Sequence, residues 1–101
     1  MLHRLQISVL QREILTSLSH AADGDRNEGW LSLTGLMAGS SRHMPHSVMG
    51  MMRRRGAYRR SIEKLQLQQL VEIRTVRDDS EARVAARITR EGIHYLQLTA
   101  G

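Results

Sequence analysis

Leu70-Val71-Glu72-Ile73-Arg74-Thr75-Val76-Arg77 and Ala82-Arg83-Val84-Ala85-Ala86-Arg87-Ile88 flank the acidic turn Asp78-Asp79-Ser80-Glu81. On both sides of the turn apolar and polar residues alternate, the period of a strand with one buried face, so the segment predicts a β-hairpin over Val71–Arg77 and Ala82–Ile88. Its polar face carries Arg74, Arg83 and Arg87. Directly after it, Thr89-Arg90-Glu91-Gly92 opens a short helix, with Thr89 as N-cap and Ile93 and Leu96 on the inner side. Directly before it, Tyr58, Ile62, Leu65 and Leu70 recur at helical spacing and mark the buried face of a helix from Ala57 to Leu70. Arg59, Arg60, Glu63, Lys64 and Gln68 then point outward.

Further towards the N-terminus, Ile7, Leu10, Ile14, Leu18 and Ala21 form one stripe of an amphipathic helix over Leu5–Ala22, and Leu2, Leu5 and Val9 form a second apolar line around its start. Asp23-Gly24-Asp25-Arg26-Asn27-Glu28-Gly29 is rich in turn formers and ends that helix. A short extended piece, Trp30–Leu33, follows, with Trp30 expected in the core where this strand crosses towards the hairpin. Ser32 or Thr34 caps a short helix from Thr34 to Ala38, which Gly39-Ser40-Ser41 breaks. Met44–Arg55 reads as helical, with Pro45 in a first turn and a break expected near Gly56. The whole chain, residues 1–101, reads as one α+β domain without an internal repeat or linker.

The order helix, short strand, short helix, helix, hairpin, helix fits a winged helix-turn-helix: a three-helix core, a C-terminal β-hairpin wing and a short last helix. The residues also carry a resemblance. Arg60-Ser61-Ile62-Glu63-Lys64-Leu65 through Leu70-Val71-Glu72-Ile73-Arg74, then Arg83–Gly92, resembles the recognition helix, wing and following helix start of bacterial and archaeal winged-helix regulators such as the MarR and PadR groups. The match covers about the last forty-five residues and is shared by many winged-helix families. Gln68-Gln69 stands where a glycine usually precedes the Leu-Val of the first wing strand, and the segment from Gly39 to Ala57 is longer than the usual turn. The long helices through which those families dimerise have no counterpart, so neither an effector pocket nor a dimer arrangement carries over.

Composition bounds the rest. The 101 residues are 41% hydrophobic and 25% charged, ordinary for one soluble domain. A chain of this size buries roughly two-thirds of its unfolded surface, enough for one core but not for a deep substrate cleft between lobes. No apolar run approaches a bilayer span, and Met1-Leu2-His3-Arg4 leads into polar residues rather than a signal-peptide core, so a cytoplasmic protein is expected. The absence of Cys excludes disulfides, zinc ribbons and thiol nucleophiles. His43 and His46, with His3, His20 and His94 elsewhere, lack a neighbouring carboxylate or Cys, and no metal is expected. No paired carboxylates near a His, no phosphate-cradling glycine loop and no Gly-x-Ser-x-Gly turn occur, so neither an enzyme nor a cofactor or small-molecule ligand is expected. Trp30, Tyr58 and Tyr95 are the only aromatics, too few for base-stacking platforms; RNA binding carries the least weight.

Charge placement carries the functional expectation. Lys and Arg number 15 against 10 Asp and Glu, for a net charge of +5. From Gly29 to Ile62 there is no acid, while Arg42, Arg53, Arg54, Arg55, Arg59 and Arg60 all fall in that window. Such a block costs self-repulsion and marks a surface that meets an anion, most often nucleic acid, less often an acidic protein or lipid headgroups. The reading is a transcriptional regulator that binds double-stranded DNA. Arg59, Arg60, Ser61 and Lys64 would reach the major groove, since recognition helices read bases from their first turns, while Arg53, Arg54 and Arg55 lie on flanking phosphates. Arg42, Arg74, Arg83 and Arg87 complete the DNA-binding set; any wing contact comes from the strands, because the acidic tip would be repelled. The alternative is a winged-helix protein-interaction module in a replication, segregation or transcription assembly, using the same basic face. One recognition helix covers roughly 600–1,000 Å² of DNA, which argues for a homodimer. Leu2, Leu5 and Val9, joined by Tyr95, Leu96 and Leu98, are the candidate interface; in the other reading Leu2 and Leu5 cap the chain's own core. Met37, Met44, Met49, Met51 and Met52 read first as adaptable core filling and second as an exposed partner surface.

Overall fold

A computed structural model describes residues 6–24, 27–39, 47–78 and 81–99. Among the described residues, four helices pack on one face of a three-stranded antiparallel sheet. They run α1 (Val9–Asp23), β1 (Leu31–Ser32), α2 (Leu33–Ala38), α3 (Val48–Leu67), β2 (Val71–Asp78), β3 (Glu81–Ile88) and α4 (Arg90–Thr99), with a 3-10 turn at Asn27–Gly29 before β1. The sheet order is β1-β3-β2. Leu31 pairs with Ala86, and the hairpin registers Val71 with Ile88, Ile73 with Ala86 and Thr75 with Val84. This alternation sends Val71, Ala86 and Ile88 into the core and Glu72, Arg74, Arg83 and Arg87 to the opposite face, as the pattern predicts.

Each helix begins at a short polar cap. Ser8 and Gln11 form a capping box on α1: the Gln11 amide donates to Ser8 Oγ at 3.1 Å and the Ser8 amide to Gln11 Oε1 at 2.9 Å. That box starts α1 at Val9, four residues later than the apolar stripe suggests, and buries Gln11. Ser32, of the two candidates, caps α2, accepting from the Gly35 amide at 3.0 Å, and Ser47 caps α3, accepting from Gly50 at 2.9 Å. Thr89 caps α4 and also donates to the Gln69 carbonyl at 2.7 Å, which ties α4 to the end of α3.

The core joins Ile14, Leu15 and Leu18 of α1, Leu33, Leu36 and Met37 of α2, and Tyr58, Ile62 and Leu65 of α3 with Leu70 and the inner sheet face. A side chain of this class contributes about 1.5–3 kcal/mol when fully buried.

Four expectations need correction. The break expected near Gly56 does not occur: α3 runs through it, because a helical glycine costs only about 1 kcal/mol relative to Ala and is no barrier between good helix formers. The helix instead stops at Leu67, and Gln69 adopts a left-handed φ of 64°. A residue with a Cβ is disfavoured in that conformation. Ile93 is exposed rather than inward, and Gly92 takes the inner position; a Cβ on Gly92 would overlap the Leu70 carbonyl and Ile88 Cγ1. Of the methionines, Met37 is buried, but Met49, Met51 and Met52 stand in solvent because the first half of α3 has no element packed over them among the described residues. No helix among the described residues is long and apolar enough to cross a membrane.

Candidate nucleic-acid interface

Twenty residues at 1.5 Å rise make α3 a rod of about 30 Å. At 100° per residue, Tyr58, Ile62 and Leu65 form the core-facing stripe, and the remaining positions divide into two flanks. Arg60 and Lys64 lie on the flank towards α1, where with Ala57, Ser61 and Gln68 they border an open groove of about 510 Å³ closed on the other side by Ser8 and Gln11. Helical spacing puts Arg53 in the same row. Arg59 lies on the flank towards the hairpin, lining a smaller groove of about 120 Å³ with Ile73, Thr75 and Val84.

Arg53, Arg55, Arg60 and Lys64 are exposed and make no ion pair among the described residues. Arg59 pairs with Glu63 one turn on, at 3.4 Å. Both partners are exposed, so the pair is worth little to stability, yet it offsets one of the charges on that flank. Arg60 folds back along its own helix, its Nη1 3.3 Å from where a Cβ on Gly56 would stand.

The arginine triplet does not act as one patch. Arg54 is half-buried, one helical turn before Tyr58, with its guanidinium 5.6 Å from the Tyr58 ring centroid. An i, i+4 spacing puts both side chains on one stripe, so Arg54 turns towards the core while Arg53 and Arg55 remain outside. Ser61, expected to point outward, is only 9% exposed, and lies at the floor of the groove that Arg60 and Lys64 border.

The hairpin arginines form a third group. Arg74 and Arg87 bring their guanidinium carbons to 4.2 and 4.8 Å from the centroid of the Trp30 ring, and Arg87 also pairs with Glu72 at 3.1 Å. Trp30 is buried as the sequence suggests, but under two arginines at the outer sheet face. Alternating polar positions on two paired strands with one tryptophan just before a third was the available signal; only the sheet order brings them together. Arg83 stands exposed across from Val76 on the same face. Since α3 packs on the inner face, the cations fall into separate sets, one along α3 and one across the back of the sheet.

Among the candidate dimer residues, Val9 and Leu98 are exposed at 70% and 72%. Tyr95 is half-buried against the core, with the Arg12 guanidinium 6.0 Å from its ring centroid. Leu2, Leu5 and Arg42 lie outside the described residues, as do His3, His43, His46 and Met44. No three His, Asp or Glu side chains converge on a metal-sized site among the described residues.

Comparison with known proteins returns no match: no family model fits the sequence, and no curated protein or solved structure is similar to the chain at a significant level.

Proposed function

We propose that the chain is a winged helix-turn-helix regulator that binds double-stranded DNA sequence-specifically through α3. The observation that carries this reading is the outward row Arg53, Arg60 and Lys64, with Arg55 and Arg59 on the opposite flank, on a helix whose first half projects beyond the core among the described residues and which has Glu63 as its single acid. A helix fits the major groove, about 12 Å wide, and a guanidinium can there pair bidentately with a guanine edge or with a phosphate. The α+β order, the antiparallel hairpin after α3 and the left-handed turn at Gln69 agree with a winged-helix arrangement. Arg60, with Arg59 released from Glu63, reads bases; Arg53, Arg55 and Lys64 hold phosphates. Val9 and Leu98, exposed on the packed pair α1 and α4, support assembly as a homodimer.

Salt titration of binding to labelled duplexes, after selection of a preferred site from a random pool, tests this directly. Binding through phosphates falls log-linearly with salt. Replacing Arg53 and Arg55 with Ala lowers the slope by about one unit per lost contact on every sequence alike, whereas Arg60→Ala costs roughly 1–3 kcal/mol on the preferred site and relaxes one base position. An unchanged slope and an unchanged preference refute the interface. The exposed Val48, Met49 and Met52 on the same helix favour the second reading, a protein-interaction module, for which binding would persist at high salt.

A further inference from the structure

The outer face of the sheet has no helix upon it among the described residues, yet two of its residues are buried. Ala85 is 8% exposed and Trp30 is 9% exposed. Ala85 lies opposite Arg74 and two positions from Arg87, so the indole and its two guanidiniums account for the cover. This is a tryptophan enclosed by cations on the side of the sheet facing away from the core.

We propose that this face docks an acidic segment of a partner protein, with Arg74 as its anchor, on a surface separate from the one α3 offers to DNA. A guanidinium held over an indole ring meets it through its carbon and keeps N–H donors for a partner, and its side chain has already lost part of the freedom that binding would otherwise remove. Arg87 directs both its Nε and its Nη2 at Glu72 Oε2, at 3.2 and 3.1 Å. Arg74 is exposed and makes no ion pair among the described residues, so its fork is available to a carboxylate in the bidentate geometry the two groups share.

The chemistry of the neighbours separates a protein from a nucleic acid. Glu72, its side chain 50% exposed, shares this face and already engages Arg87, so acidic groups of a partner are confined to Arg74 and Arg83 rather than spread along the face as a row of phosphates would be. Val76, 43% exposed and paired in register with Arg83, offers a phosphate nothing but matches an apolar side chain flanked by acids. The enclosed indole is covered and cannot stack on a base. Tryptophan and arginine anchors with an apolar neighbour are the composition of protein-interface hot spots. The fitting partner therefore presents carboxylates towards Arg74 and Arg83 and an apolar side chain towards Val76.

Trp30 is the only tryptophan of the chain, so its emission reports on this face alone. The full chain is titrated with a synthetic peptide of alternating Glu and Leu, with the same peptide carrying Gln in place of Glu, and with a short DNA duplex whose binding is followed by its own label. The expected result is that the Glu peptide shifts Trp30 emission, that the Gln peptide does not, and that Arg74→Gln weakens the Glu peptide roughly tenfold while Arg60→Gln does not. The duplex binds without moving Trp30 emission. Arg74→Lys keeps the charge without the planar fork and serves if Arg74→Gln does not fold; it also loses affinity for the Glu peptide. Equal responses to both peptides, or full affinity in both Arg74 variants, overturn the proposal. A duplex that moves Trp30 emission and is lost in Arg74→Gln gives the face to nucleic acid and overturns it as well. A chain that takes the Glu peptide through Arg74 but binds no duplex upholds this surface and refutes the DNA reading alone.

Discussion

From Gly56 to Leu67, α3 sets Tyr58, Ile62 and Leu65 into the core with at most 3% of each exposed, whereas from Val48 to Arg55 the same helix holds Val48, Met49 and Met52 in solvent at 66% or more. The sequence of the first half is no less apolar than that of the second. What differs is the opposing surface: α1, α2 and β2 close over the second half, and among the described residues the first half projects past them. An isolated helix of eight residues would not persist in water, because nucleation is costly. The packed half supplies the nucleus, and the projecting half adds residues of good helix propensity, Met and Arg, behind the Ser47 cap. The cations do not follow this division: Arg59 in the packed half has Glu63 within reach, but Arg60 and Lys64 in that half, like Arg53 and Arg55 in the projecting one, make no ion pair among the described residues.

The largest expected effect lies in the packed half. Leu65 is fully buried, and Leu65→Ala removes side-chain contacts and leaves a cavity, at a cost of about 2–5 kcal/mol read from urea unfolding. A loss below about 1 kcal/mol would mean that the packed half does not hold α3 in place. Next in size is the junction. Gly56→Ala places a methyl group only against the movable end of Arg60 and raises stability by up to about 1 kcal/mol, the propensity difference between the two residues. Amide exchange in Val48–Arg55 slows with it, since the two halves become one stiffer rod. A decrease in stability would break the picture, by showing that the helix needs its glycine. The smallest effect belongs to the projecting half: Met52→Gln changes stability by no more than about 0.5 kcal/mol, as for other exposed positions without special contacts. A larger loss in thermal unfolding would reveal a packed surface where the comparison places solvent.

Much of the fold was legible because its elements are locally consistent. The hairpin pairs in the register its alternation requires, Thr89 caps the last helix, and the stripe Tyr58, Ile62, Leu65 with Leu70 forms the core as its spacing indicates. The misreadings at Gly56 and at Met49, Met51 and Met52 have separate causes. At Gly56 the propensity cost of one glycine is too small to end a helix, whereas at the methionines a pattern of residue types does not tell whether another element arrives to cover them.

The candidate interface divides along the same line. Local periodicity was sufficient to place Arg60 and Lys64 outward on α3 and Arg74, Arg83 and Arg87 on one face of the hairpin, because a side chain's direction relative to its own element follows from the 3.6- and 2-residue repeats. Tertiary contact alone buried Ser61, carried Gln69 into a left-handed turn beside α4, and drew Arg74 and Arg87 onto Trp30 from forty and more positions along the chain. Those outcomes depend on the order of strands in the sheet and on which helix faces which. That order is set by how the separate apolar faces are buried together, a property of the whole core that no local stretch of residues contains.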